Sequence, residues 1–460
     1  MSDMRQNTQR QLASARRGRG EAPSASTGGS ESLRAVRAIE RRADTEQLME
    51  EVCERNNLKR ALRRVRSNKG SPGIDGMTVE ELPGYLREHW PVIREQLLHG
   101  TYHPKPVKRV EIPKWDGGGA RKLGIPCALD RFVQQAVQQI LQRRWDPTFS
   151  EHSYGFRPGR SAHHAIAQAQ HYIAAGSGYV VDLDLEKFFD RVSHDRLMGQ
   201  VAQRVTDTRL LRLIRAFLNA GVMENGLVGP RVDAGVPQGG PLSPLLSNLV
   251  LDELDRELER RGHRFVRYAD DVNVYVGSAR AGHRVMESVT HFITRRLKLK
   301  VNEAKSAVAR PQERQFLGFS FTGGRRLKRR IAPKAVQRCR RRVRQLTRRS
   351  RGVSLTQMVE QLASYLRGWR GYFGFCETST ELRDLDSWIR RRLRCVIWKQ
   401  WKVFRRRRRG LMTRGLDRKL ASMTAFRSQG PWRLSQSKAM HVAFPNAYFD
   451  SLGLPRLDTR

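Results

Sequence analysis

The chain has 460 residues, which is enough for more than one domain with a sizeable core. Its 87 Lys and Arg against 45 Asp and Glu give a net charge of +42, which excludes an ordinary near-neutral surface and predicts a polyanionic partner. No apolar run reaches the roughly 18–20 residues of a membrane span, so no membrane partner is expected. Five scattered cysteines without a paired spacing do not support a zinc module and predict reduced thiols in a cytoplasmic protein.

The N-terminal region divides into a polar arm and a helical segment. Residues 1–30 are rich in Ser, Gly, Gln and Arg and predict a disordered basic arm, which we extend to residue 40. Apolar residues at helical spacing predict helix over 45–66, and the Gly- and Pro-containing segment 69–76 predicts a turn-rich loop.

The central region alternates predicted strands and helices. A hairpin is predicted over 107–126, and helical spacing follows over 132–141. The apolar run Tyr179–Leu185 predicts a buried strand. An i,i+4 stripe from Leu242 to Leu258 predicts a helix packed in the core.

The sequence Tyr268-Ala269-Asp270-Asp271 lies between two short β-like runs. Adjacent carboxylates at a hairpin turn repel each other unless a divalent cation offsets their charge, although a solvated surface turn is the alternative. Oxygen ligands without Cys or His favour Mg²⁺ over zinc, as in two-metal nucleotidyl transfer. Asp184, which lies about 86 residues earlier at a strand end, could complete such a site from a neighbouring strand.

The C-terminal third is helical and basic. Residues 325–460 carry 36 Lys and Arg against 8 Asp and Glu, and Arg405–Arg409 is a continuous basic run. This third is therefore expected to bind a phosphate backbone, and the order of elements predicts an α+β region followed by an all-helical one.

Taken together, these motifs resemble the reverse transcriptases over roughly residues 45–405. The ordered matches beside Asp184 and the Asp-Asp turn are Gly73–Gly76, Lys114 with Arg121–Pro126, Gly155–Ser161, Gly235–Gly239, Leu297–Ser306 and Phe316–Phe319. Within that family the chain looks most like the group II intron-encoded branch, because Trp369–Phe373 and Trp398–Trp401 resemble its maturase domain.

The resemblance implies a fold and its divisions. Residues 41–324 are expected to form the fingers and palm of a right-hand polymerase, with a ferredoxin-like antiparallel sheet. A helical thumb or maturase domain over 325–405 and a basic, possibly DNA-binding tail over 406–460 are expected to follow. No Cys pairs or His-rich nuclease module are present, as in the compact bacterial class without an HNH endonuclease, so second-strand cleavage by this chain is not expected.

The resemblance also assigns the catalytic positions. Asp184 and Asp270 are expected to bind two Mg²⁺ ions, with Mn²⁺ as a substitute, while the Leu185 carbonyl assists and Asp271 completes the acidic cluster. One metal lowers the pKa of the primer 3′-hydroxyl, and the other holds the triphosphate. Asp182, two residues before Asp184 on the same strand face, is the alternative ligand.

A second group of positions is implied for the incoming dNTP. Lys114 and Arg121 are expected to neutralise its triphosphate, unless they are ordinary surface charges. Phe189 falls at the sugar gate, although a core aromatic is the alternative, and Gln238 lies in the nucleotide-pocket loop. Lys305 is expected to contact primer or template.

The function implied is that of an intron-encoded reverse transcriptase and maturase. Such a protein binds its intron RNA, assists splicing, and copies the RNA into DNA from a primer at target DNA. The alternatives are a reverse transcriptase of the retron, diversity-generating or defence-associated branches, and a non-enzymatic RNA-binding splicing factor. Trp388, Trp398 and Trp401 could stack on exposed bases or pack between helices.

Overall fold

The computed structural model describes residues 46–113, 119–224, 227–228, 235, 239–324 and 326–458. The predicted basic arm, residues 1–40, lies outside this part of the chain. Among the described residues no helix is long and apolar enough to cross a membrane. All five cysteines are free and four are buried, in agreement with the prediction of core thiols.

Strands and helices alternate through residue 331, and helices alone follow. The strands are β1 Val107–Pro113, β2 Ala120–Ile125, β3 Tyr179–Asp184, β4 Val222–Glu224, β5 Leu227–Val228, β6 Arg264–Tyr268, β7 Asp271–Val276, β8 Ala307–Ala309, β9 Phe319–Phe321 and β10 Arg329–Ile331. The helices up to the last strand are α1 Leu48–Val52, α2 Arg55–Ser67, α3 Leu82–His99, α4 Ala128–Trp145, α5 Ala162–Ala174, α6 Phe188–Arg191, α7 His194–Ala202, α8 Thr208–Leu218, α9 Ser243–Arg260 and α10 Ala279–Arg295. The later helices are α11 Pro333–Leu346, α12 Leu355–Phe373, α13 Ser379–Gln400, α14 Phe404–Met412, α15 Arg418–Phe426, α16 Pro431–Leu434, α17 Lys438–Ala443 and α18 Asn446–Ser451.

The predicted fingers are built on a small sheet with the order β2-β1-β4-β5. β1 and β2 form the predicted antiparallel hairpin, in which Lys108 lies opposite Ile125 and Pro113 opposite Ala120. The apolar residues expected to be helical between 132 and 141 belong to α4, which is buried along most of its length. The structure confirms both local predictions. They could be made from the sequence because each depends on a pattern within one short segment.

The predicted palm is an antiparallel sheet with the order β6-β7-β3-β8. Because side chains alternate along a strand, Val181 and Leu183 join the main core with α10, whereas Val180 joins a second cluster with α5. Both faces of β3 are therefore covered, as its continuous apolar run predicts. The predicted Leu242–Leu258 stripe lies in α9 and is buried.

The helices after residue 331 share one buried cluster that runs from Ile331 to Leu457. The apolar face of α13 lies within it, and Trp398 is buried there, so at least this tryptophan packs the core. The expected division near residue 405 falls between α13 and α14, whose side chains contribute to the same cluster. The domain boundaries themselves stay a prediction.

Candidate active site

Strand register brings two of the predicted aspartates face to face. Asp184, the last residue of β3, lies opposite Asp271, the first residue of β7. Tyr268 pairs with Asp271 across the β6-β7 hairpin, so Ala269 and Asp270 form its turn. Asp270 therefore adjoins the pair, and the predicted acidic trio converges at one end of the sheet.

The end of β3 is held from its other side by the segment that leads into β8. The backbone N–H of Asp184 donates to Ser306 Oγ at 3.0 Å, and the N–H of Asn302 donates to the Asp184 carbonyl at 2.8 Å. Leu185 forms an isolated bridge with Val301 and is buried. The main chain that carries the predicted ligands is thus fixed on both edges.

The carboxylates lie in an electrostatically strained cluster. The Asp271 residue is exposed, but neighbouring protein atoms displace water from part of its carboxylate. This desolvation is the largest cause that raises the pKa of Asp271 to about 7, and the nearby Asp270, Asp182 and Asp184 add to it. Lys305 Nζ lies 3.3 Å from Asp184 Oδ2 and places one ammonium in the cluster. This contact is with the acidic cluster; the expected contact of Lys305 with primer or template stays a prediction.

Asp182 is engaged differently from the trio. Its Oδ2 accepts hydrogen bonds from Arg314 Nε at 2.9 Å and Nη2 at 2.6 Å. A carboxylate already neutralised by a guanidinium is a poor ligand for a second cation. Asp184 also has a cation beside it, but Lys305 makes one contact from an exposed side chain, whereas Arg314 holds Asp182 through two N–H groups. This difference favours Asp184 over Asp182 as the metal ligand.

The trio fits a hard divalent cation by its donor chemistry. Within the described ranges, no three His, Cys, Asp or Glu side chains are assembled into a ready-made metal cage. However, the side-chain donors of Asp184, Asp270 and Asp271 at this end of the sheet are all carboxylate oxygens, which are the ligands that a hard divalent cation prefers. The ammonium of Lys305 at Asp184 shows that this position accepts a cation.

A cleft of about 820 Å³ opens over the acidic pair. Its lining includes Asp184 and Asp271 from the sheet and Lys334 and Arg338 from α11. The cleft therefore contains both acidic and basic side chains, which suits a ligand that carries both phosphates and a metal.

The predicted nucleotide-pocket elements also meet, although several side chains lie outside the described residues. Phe189 is half-buried beside Phe188, with ring centroids 5.3 Å apart, and its backbone lies near Gly235. A Cβ on Gly239 would lie 2.5 Å from the Gly124 carbonyl, so the loop closes on the β1-β2 hairpin. Lys114 and Gln238 are not among the described residues, and for Arg121 only the backbone is described, opposite Ile112.

Arg267 is a supporting residue to which the sequence patterns assign no role. It is fully buried beneath the turn, with Nε and Nη2 donating to both carboxylate oxygens of Asp255 at 2.7 and 2.5 Å. Its Nη1 donates to Asn248 Oδ1 at 2.9 Å and to the Ala269 carbonyl at 3.1 Å. The sequence signal is an arginine directly after the apolar pair Phe265-Val266 of β6, because an arginine within a buried strand requires a partner for its charge.

The Gly155–Ser161 motif contributes to the same support. A Cβ on Gly155 would lie 2.3 Å from the Ala269 backbone nitrogen, so only glycine permits this approach. The Gly155 carbonyl accepts a hydrogen bond from Asn248 Nδ2 at 2.9 Å. Ala269 has a φ of 57°, a conformation that is costly outside glycine and is held here by Arg267 and Gly155 together.

Comparison with known families assigns the class. Residues 112–321 match the model described as reverse transcriptase (RNA-dependent DNA polymerase), and residues 336–415 match the group II intron maturase-specific domain. The chain is therefore a reverse transcriptase with a maturase domain, and it has the α+β fingers and palm followed by a helical domain.

Named relatives identify the branch. Protein YkfC of Escherichia coli K12 is 33% identical over 313 residues, which cover 59% of this chain and 81% of YkfC. The group II intron-encoded protein LtrA of Lactococcus lactis is 30% identical over 320 residues, which cover 55% of this chain and 53% of LtrA. This chain thus spans most of YkfC but about half of LtrA. It belongs to the family of group II intron-encoded reverse transcriptases and maturases.

A solved structure was also matched. A chain of the partial Cas6-RT-Cas1--Cas2 complex is 23% identical, with a TM-score of 0.36, over 54% of this chain and 43% of that chain. At this score the match carries no inference about the present protein.

Proposed function

We propose that this protein binds the RNA of a group II intron, assists its splicing and copies it into DNA. The observation that carries the proposal is the register that places Asp184 opposite Asp271 beside Asp270, in a chain that also contains the maturase domain. The net charge of +42 supports a nucleic-acid partner, and the free cysteines and bacterial relatives support a reducing bacterial cytoplasm.

For the chemistry, we assign the metal ligands to Asp184, Asp270 and Asp271 with the Leu185 carbonyl. These residues would hold two Mg²⁺ ions, which would supply charge neutralisation and a lowered pKa of the primer hydroxyl. Arg267 and Gly155 hold the turn, so that the Asp270 and Asp271 carboxylates stay positioned without reorganisation. Arg314 keeps Asp182 out of the ligand set.

The remaining predicted residues act on the incoming nucleotide and the nucleic acid. Lys114 and Arg121 neutralise the triphosphate, and Gln238 lies beside the nucleotide. Phe189 excludes a 2′-hydroxyl by steric contact. Lys305 lies close enough to Asp184 to neutralise it until substrate and metal arrive. The resemblance to reverse transcriptases is what assigns these roles to Lys114, Arg121, Gln238 and Phe189.

The deciding experiment separates polymerisation from RNA folding. Asp270→Asn is expected to abolish DNA synthesis on an RNA template, because a metal ligand is lost, while it retains RNA binding and splicing assistance at low Mg²⁺. Asp195→Asn is the matched control, since Asp195 is exposed on α7 and forms an ion pair with Arg215 on the surface, and it is expected to behave as wild type.

Two outcomes would contradict the proposal in different ways. An Asp270→Asn protein that still extends a primer removes the metal assignment. A wild-type protein that extends primers but does not accelerate splicing of the transcript surrounding its own reading frame removes the maturase role.

A further inference from the structure

A second cavity, of about 300 Å³, lies in the helical region away from the aspartates. We call it the Trp388 pocket; its walls come from the end of α11, the middle of α13 and the short helix α16. Trp388 and Trp432 contribute the aromatic surface, and Arg344, Arg349 and Arg392 contribute the charge. The volume is at the lower limit of the roughly 300–1,000 Å³ typical of small-molecule pockets, so it suits one nucleotide-sized group rather than a duplex.

The side chains described around the pocket give it a positive charge. No Asp or Glu is among its lining residues, and in the described chain none of its three arginines forms an ion pair. Arg392 is tied to Thr347, to whose Oγ1 its Nε donates at 2.7 Å. Burial, together with Arg344 and Arg349 nearby, lowers the pKa of Arg392. Such a cluster is stabilised by an anion.

The aromatic groups are arranged for stacking. Arg391 already covers Trp432, with its guanidinium carbon 3.8 Å from the ring centroid. Around Trp388 the guanidinium groups are more distant, at 5.9 Å for Arg340, 5.6 Å for Arg344 and 5.4 Å for Arg392. The half-buried Trp388 ring also lines the cavity, so a planar group that displaces these guanidinium groups would lie against it.

We propose that the Trp388 pocket binds one unstacked nucleotide of an RNA, with its base on Trp388 and its phosphate between Arg344 and Arg349. A base supplies the planar surface and a phosphate supplies the anion, whereas an acidic peptide supplies only the anion. Arg344 and Arg349 are exposed, so a phosphate in solution can reach both guanidinium groups. The inference rests on the proposed RNA partner and adds a specific site to it.

The test compares a hairpin RNA that carries one bulged uridine with the same hairpin fully paired. Equilibrium binding is measured with the full-length protein for Trp388→Ala, Trp388→Phe and the double variant Arg344→Ala/Arg349→Ala. Arg348→Ala is the matched control, because Arg348 is exposed at the same helix end but does not line the cavity. Thermal unfolding checks that each variant is folded.

Trp388→Ala is expected to weaken binding of the bulged RNA about tenfold and to leave the paired RNA unchanged. Trp388→Phe retains most of the affinity, because a ring remains. The double arginine variant weakens the bulged RNA more than Arg348→Ala does. With 4-thiouridine at the bulge, ultraviolet light is expected to crosslink the RNA to α13 or α16.

Equal losses on both RNAs, no loss, or a crosslink mapped outside these helices would each overturn the inference. Displacement of the bulged RNA by poly-glutamate but not by excess uridine-containing RNA would assign the pocket to an acidic protein instead. Primer extension by the wild-type protein is measured alongside. If extension is intact and the bulge is not recognised, only the pocket assignment fails; if wild type does not extend primers, the proposed function fails by itself.

Discussion

Replacing Arg267 tests whether the catalytic turn depends on a buried ion pair. Arg267 and Asp255 are both fully buried, and the guanidinium also donates to Asn248 and to the Ala269 carbonyl. Arg267→Met leaves the Asp255 carboxylate buried without its partner, which costs about 3–5 kcal/mol. The two further acceptors that lose a donor cost about 1–3 kcal/mol each. Because a native domain has about 5–15 kcal/mol of stability, this variant is expected to be severely destabilised.

The double variant Arg267→Met/Asp255→Leu separates stability from positioning. It removes both buried charges, and replacing a buried pair by apolar residues is often neutral or stabilising. Urea unfolding is expected to show that the second change recovers about 3–5 kcal/mol relative to Arg267→Met alone. Primer extension on an RNA template is expected to stay low in the double variant, because the Ala269 carbonyl still lacks its donor.

The control for both variants is Arg260→Met. Arg260 forms an exposed ion pair with Glu257, so its loss is expected to change stability by at most about 1 kcal/mol. The reasoning is refuted if Arg267→Met unfolds like this control. It is also refuted if the double variant recovers both stability and full primer extension, since the bond to Ala269 would then have no role.

Three further predictions concern the sugar gate, the RNA interface and a buried acid. Phe189→Ala should raise the kcat/KM for ribonucleotides relative to deoxyribonucleotides on the order of tenfold, and an unchanged ratio would mean that Phe189 only packs against Phe188. RNA binding should weaken by about 10³–10⁵ between 50 and 200 mM salt if some 6–10 phosphates are contacted, and a flat response would contradict phosphate-driven recognition. Burial raises the pKa of Asp130 from 3.8 to about 6, despite the hydrogen bond from Tyr102, so folding stability from this group is full below about pH 4 and is lost as the pH rises through 6. In urea unfolding, the free energy of unfolding of Asp130→Asn should therefore fall by about 3 kcal/mol less than that of the wild type as the pH rises from below about 4 to above about 6. An equal fall in both proteins would contradict the assignment.

Local patterns predicted several elements correctly, although the helical segment predicted over 45–66 is divided into α1 and α2. The β1-β2 hairpin, the helix around residues 132–141 and the buried stripe of α9 each depend on a repeat or turn within one segment. The acidic turn was also recognisable, because Asp270 and Asp271 adjoin a hairpin signal. Such features are local because side-chain period and turn chemistry act over a few residues.

By itself, then, the sequence determined the order of elements, the family resemblance and the identity of the acidic trio. Only the tertiary structure decided that Asp184 lies opposite Asp271, that Arg314 engages Asp182, and that Arg267 and Gly155 support the turn. It likewise brought Trp388 and Trp432 to one cavity from distant helices. The physical reason is that strand register and the partners of buried charges depend on contacts between segments far apart in the chain, which no local repeat encodes.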